Sequence, residues 1–153
     1  MGRCEGHPVP PIQERIGHHL KRAEQALTTR KSRALRSVDL TVPQYSALLV
    51  LADHPGLSGA QLARRCYVTP QTMAALLVNL ETKALVTRTP SAVHPQVVQT
   101  SVTRHGRAVL RKADRLAGTV ESSLADAFSD EDRERLLAML AEVARLLSEP
   151  DRA

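Results

Sequence analysis

Thr69-Pro70-Gln71-Thr72 carries the side chains in this chain best suited to contact chemistry. A glutamine amide can pair bidentately with adenine, and a threonine can hydrogen-bond a base edge or touch a thymine methyl. These four residues open a helix. Thr69 is a good N-cap, and Pro70 falls at the first helical position, where its missing N–H costs nothing. Met73, Leu76, Leu77 and Leu80 recur at i, i+3, i+4 and i+7, an apolar stripe that faces a core. The opposite face carries Gln71, Ala75, Val78 and Thr82, flanked by Thr72 and Asn79. Its small and amide side chains can approach another surface closely.

A second short helix precedes this one. Ser58 and Gln61 have the spacing of a capping box. Leu62 and Ala63 face inward, and Arg64 and Arg65 close the helix. Both arginines are candidate phosphate contacts. Ser58 is a cap and a candidate anion ligand as well, because helix N-termini attract anions. Two short helices joined by a tight turn are the layout that lays a recognition helix in the major groove of DNA. The same pattern also fits a helical hairpin with a solvated polar face.

The charge distribution favours the DNA reading. The chain has 153 residues, the length of one domain, and a net charge of +5. Residues 1–40 hold eight basic and four acidic side chains, residues 41–112 eight and two, and residues 113–153 five and ten. The basic middle block contains the helix-turn-helix, which is a nucleic-acid footprint. Aromatic residues are limited to Tyr45, Tyr67 and Phe128. Single-strand binders stack bases on aromatic platforms, so the shortage favours duplex DNA. No run of eighteen apolar residues suggests a membrane span, and the N-terminus lacks an apolar signal core, so a cytoplasmic protein is expected.

The elements that position the motif follow from caps and periodicity. Residues 1–10 are rich in Gly and Pro and read as a disordered tail. Residues 11–153 read as a single domain. Ile12, Ile16, Leu20, Ala23 and Leu27 predict a first helix over 11–34. Thr41 and Gln44 form a second capping-box pair, with Pro43 in the first turn of a helix that runs to about Asp53. His54-Pro55-Gly56 stops it. After Leu80, the β-branched runs 85–89 and 97–102 flank a turn-rich loop, 90–96, and predict a hairpin. Thr103 caps a helix over about 104–127, with Val109, Leu116 and Val120 inward. Ser129 caps a last helix, whose Asp130, Glu131 and Asp132 suit the helix dipole. Its stripe of Leu136, Leu137, Leu140, Val143, Ala144 and Leu147 is wide for the end of a small domain, and a partner helix is the economical explanation. The fold class is therefore mainly α with a small β-hairpin wing.

In this order, Leu40-Thr41-Val42-Pro43-Gln44-Tyr45, Gly56 to Ala63, Val68 to Met73, Leu80 to Val86 and Val102 to Arg107 resemble the MarR (multiple antibiotic resistance regulator) family of bacterial transcription factors. The likeness spans about residues 12–148. It implies a winged helix-turn-helix over 41–103 and dimerisation helices over 11–34 and 104–148. Ile12, Ile16, Leu136, Leu140, Val143 and Leu147 are the candidate dimer contacts. It also implies a homodimer that reads a near-palindromic operator with recognition helices ~34 Å apart. Repression would be relieved by a small aromatic or carboxylate ligand bound between the dimer arms and the winged module. Ser58, Arg64, Arg65, Thr69, Pro70, Gln71, Thr72, Ala75 and Asn79 are the candidate DNA contacts, with Arg88, His94 and Gln96 on the wing. The chain departs from the family twice. Family wings usually carry an Asp-x-Arg pattern, absent here between Pro90 and Gln96. The family generally has Gly where Ala84 stands. Either Ala84 adopts positive φ at a cost of about 1 kcal/mol, or the turn differs.

Arg15, His18, His19 and Tyr45 are the candidate ligand pocket, because a carboxylate needs a cation and donors within an apolar site. Each also fits a surface or interface position. His18 and His19 are adjacent and point to different helix faces, so no metal is expected. No cofactor is expected either. Cys66 reads as a buried apolar residue and Cys4 lies in the tail; a thiol-based redox sensor is a lesser alternative. Catalytic signatures such as a phosphate loop or a nucleophile elbow are absent, so the chain is not expected to be an enzyme. A constitutive DNA binder, or a winged helix that contacts proteins, is the remaining alternative.

Overall fold

A computed structural model describes residues 9–148. A 3-10 turn over Ile12–Glu14 precedes α1 (Ile16–Leu35). Then come α2 (Val42–Asp53), β1 (Leu57–Ser58), α3 (Gly59–Arg65), α4 (Pro70–Thr82), β2 (Val86–Pro90), β3 (Val98–Val102), α5 (Arg104–Ala125) and α6 (Asp130–Ser148). The strands form an antiparallel sheet in the order β1-β3-β2. The wing pairs Val86 with Val102 through to Pro90 with Val98. Most of the expected tail, including Cys4, lies outside the described residues.

The capping rules are realised almost to the atom. Thr41 Oγ1 accepts from Gln44 N, and the Gln44 side chain accepts from Thr41 N. Ser58 and Gln61 repeat that exchange at the start of α3. Thr69 Oγ1 accepts from Thr72 N, with Pro70 at N1 of α4. Met73, Leu77 and Leu80 are buried, as their spacing predicts, and Leu76 is partly buried. They join Leu35, Leu48, Leu51 and Leu62 in one core cluster that reaches Ala117 of α5.

Several expectations need correction. The first helix does not run unbroken from Pro11. Arg15 is extended, and its Nε donates to the Pro10 carbonyl at 2.8 Å, which holds the 3-10 turn apart from α1. α5 ends at Ala125, two residues early. Its buried line is Gly106, Leu110, Ala113, Ala117 and Val120, whereas Val109 and Leu116 are only partly buried. Small residues let α5 lie close to its neighbours, and a search for large apolar side chains passes over them. β1 was not expected. Its two residues pair with β3, Leu57 opposite Thr100, and two residues are too few to show a period.

Long-range polar contacts lock the arrangement. The Tyr45 hydroxyl donates to Asp114 Oδ1 at 2.7 Å and ties α2 to α5. Burial, with that carboxylate alongside, pushes the phenol well above its ordinary pKa. Lys31 of α1 pairs with Glu121 of α5. By contrast, α6 packs little against the other described elements, and none of its side chains is fully buried.

Candidate DNA interface

The turn between α3 and α4 aims the recognition helix. The Val68 N–H bonds the Ala63 carbonyl at 3.1 Å and the Tyr67 N–H bonds that of Arg64 at 3.3 Å. These are the two hydrogen bonds of a Schellman motif, with Tyr67 as its left-handed C′ residue at φ 55°. The far end of α4 repeats the motif. Leu85 N bonds Leu80 O, Ala84 N bonds Glu81 O, and Ala84 sits at φ 55°. The turn therefore keeps the left-handed form without the glycine that favours it. Ala84→Gly should stabilise the protein by about 1 kcal/mol, read as a raised midpoint in denaturant unfolding.

Two further contacts fix that far end. Lys83 Nζ donates to the backbone carbonyl of Asp39 and lies 2.9 Å from Asp39 Oδ2. Asp39 follows a second 3-10 turn, Arg36–Val38, at the end of α1, so the recognition helix is fastened to the base of α1. Thr103 Oγ1 donates to the Ala84 carbonyl at 2.7 Å, which fastens it to the start of α5.

The candidate reading face is open. Arg64, Arg65, Thr69, Pro70, Gln71, Thr72, Ala75 and Asn79 are exposed, and Ser58 is half-buried. Among the described residues the Gln71 amide and both guanidinium groups have no hydrogen-bond or ion-pair partner and remain available. The Asn79 amide is less so, because Nδ2 donates to the Ala75 carbonyl at 3.0 Å. Tyr67, missed in the sequence reading, is 96% exposed in the same turn. Its signal was the absence of glycine at a helix C′ position.

On the wing, Arg88 lies 3.9 Å from Glu81 of α4 and is partly neutralised by it. The tip is a closed turn. Ser91 Oγ accepts from Val93 N and His94 N, and Ser91 N bonds Val97 O at 2.8 Å. His94 and Gln96 are exposed on it.

The ligand candidates are not gathered in one chain. His19 Nε2 lies 2.6 Å from the Gln13 carbonyl, and Arg15 is engaged with Pro10. His18 is half-buried, its ring 5.7 Å from that of His19. Tyr45 belongs with Asp114 near the Lys31 end of α1, sixteen residues from Arg15, or about 24 Å along a helix. A cavity of about 210 Å³ does lie between α1, α2 and the helix-turn-helix, lined by Thr28, Val42, Ser46, Cys66, Val68 and Leu76 among others. Cys66 is thus half-buried on a cavity wall rather than fully buried, and burial pushes its thiol pKa up. No cluster of His, Cys, Asp or Glu among the described residues has metal-binding geometry. None of their helices is long and apolar enough to cross a membrane.

Comparison with known proteins agrees with this geometry. The profile of the MarR family matches residues 38–94. The HTH-type transcriptional repressor Rv2887 of Mycobacterium tuberculosis is 36% identical over 99 residues, 65% of this chain and 71% of that protein. The structure of Rv2887 with salicylic acid superposes with a TM-score of 0.67 at 29% identity, covering 89% of this chain and 98% of that one. The transcriptional repressor CouR bound to a 23-mer DNA duplex gives a TM-score of 0.81 at 31% identity, covering 87% of this chain and 94% of CouR. CouR bound to p-coumaroyl-CoA gives 0.78 at 32% identity, covering 88% and 94%. The capped recognition helix, the wing and these likenesses together establish that the chain belongs to the MarR family and is a DNA-binding transcriptional regulator rather than an enzyme.

Proposed function

We propose that this regulator is a homodimeric repressor that holds a near-palindromic operator and releases it when a small aromatic acid, free or as a thioester, binds. The observation that carries the DNA half is the exposed Gln71 at the start of α4, beside Arg64 and Arg65, all three without a side-chain partner among the described residues. The repressor and effector half is supported by Rv2887, captured with salicylic acid, and by CouR, captured with DNA and with p-coumaroyl-CoA. Both proteins resemble this chain across most of its length. The cavity between α1 and the helix-turn-helix supports the same reading, because an occupant there would bear on the arm and on α4 together. A thiol switch at Cys66 is disfavoured, since its raised pKa leaves little thiolate.

Titration of duplexes at increasing salt tests the DNA half. Specific binding to one palindrome that weakens steeply with salt is expected; sequence-blind or salt-insensitive binding would refute it. Gln71→Ala should cost ~1–3 kcal/mol on that palindrome and relax base preference at one position per half-site. Loss of equal size on every duplex would make Gln71 a backbone contact instead. A thermal-shift screen of salicylate, p-coumarate and their thioesters tests the effector half, and no shift with any of them would favour a constitutive binder.

A further inference from the structure

Tyr67 combines two features that folding alone does not account for. It is held at φ 55° as the C′ residue of α3, where a bulky side chain is an outlier and glycine is preferred. The residue is also 96% exposed, so burial returns almost nothing for that strain. Among the described residues the hydroxyl has no hydrogen-bond partner. Strain kept without a packing reward points to function. The neighbours say which function. Arg64 and Arg65 precede Tyr67 and are exposed, and their guanidinium groups have no partner among the described residues. Thr69, two residues later, caps the end of α4 that presents Gln71. Recognition helices meet bases through their N-terminal residues, so the turn that holds Tyr67 lies where the duplex backbone passes.

We infer that Tyr67 is a DNA contact, its phenol donating a hydrogen bond to a backbone phosphate oxygen beside the recognition helix, with Arg64 and Arg65 supplying the charge. A tyrosine hydroxyl is one of the neutral donors that position proteins on phosphates, and such contacts carry no base information. This rests on the reading of α4 as the operator-binding helix.

The test sets stability against affinity. Tyr67→Gly releases the backbone strain and deletes the contact. Its thermal midpoint should rise by about 2–4 °C. Its affinity for the duplex that the full chain enriches from a random-sequence pool should fall at least about tenfold, by the same factor on an unrelated duplex. Tyr67→Phe keeps the strain and the ring, so it should lose affinity without the gain in midpoint. Ala84→Gly releases the same kind of strain at the far end of α4 and is the reference: stabilised, with affinity unchanged. A stabilised Tyr67→Gly that binds like wild type would overturn the proposal, as would a Tyr67→Phe of undiminished affinity. If the wild-type chain enriches no sequence, the reading of α4 fails, and the Tyr67 proposal with it.

Discussion

Gly106→Ala is expected to destabilise the protein by at least about 3 kcal/mol, seen as a fall of roughly 6–12 °C in the thermal midpoint. A Cβ built on Gly106 would stand 2.0 Å from the Leu85 carbonyl oxygen and 2.8 Å from Val102 Cγ1. Neither neighbour can yield cheaply. Leu85 O already accepts from Thr103 N at 3.0 Å, and Val102 is held in register opposite Val86. Backing α5 away to make room would break the Thr103 cap on Gly106 N and the Arg107 contact with the Val102 carbonyl. The wing and the start of α5 meet at this point, so operator affinity should fall alongside stability. A midpoint within about 2 °C of wild type would show that this junction is looser than its distances imply. Set beside Ala84→Gly, the substitution makes a paired experiment: two glycine–alanine exchanges near one junction, with opposite signs.

The second large effect concerns assembly. Leu140→Glu combined with Leu147→Glu should convert a dimer into a folded monomer and weaken operator binding on the order of 10²-fold or more, because two linked recognition helices bind far better than one. α6 exposes Leu137, Met139, Leu140, Leu146 and Leu147, and contributes nothing to the central core. At the other end, Ile12 and Ile16 are more than half exposed. Apolar stripes of this extent on a lone chain mark an interaction surface. Each large side chain covered by a partner would contribute about 1.5–3 kcal/mol. The core between Leu35 and Val120 is untouched by the substitutions, so circular dichroism should retain its helical signal while light scattering reports half the mass. A double variant that stays dimeric would disprove the role given to α6.

Whatever depends on neighbours in sequence was legible beforehand. Five N-caps, two of them capping boxes, and the buried stripe of α4 follow from side chains three or four residues apart, and the wing from two β-branched runs about a turn-rich loop, so local chemistry decides each outcome. The unforeseen features join distant parts of the chain. Tyr45 to Asp114 spans 69 residues and Lys83 to Asp39 spans 44, and no pattern in either segment announces its partner. The role of Gly106 was invisible for the same reason, since only the fold brings Leu85 over it. Ala84 was half legible. The resemblance raised the question of its backbone, and the structure answers it with a left-handed turn. The DNA candidates came out exposed because exposure follows from the polar side of a helical period. The ligand candidates were chosen by chemical type without geometry, and one chain does not gather them.

The wing has a consequence for how the regulator finds its site. Between Arg88, held near Glu81, and Arg104, no residue carries a fixed charge. A hairpin of this kind releases few counterions when it touches random DNA, so it adds little to the grip on the many wrong sequences of a chromosome. What the wing contributes must come from shape and from its neutral groups once the recognition helix is already seated. Such a wing would raise the ratio of right-site to wrong-site affinity, which governs occupancy in a genome, at some cost in absolute strength. A regulator with such a wing would hold arbitrary DNA less tightly and lose less time to decoys.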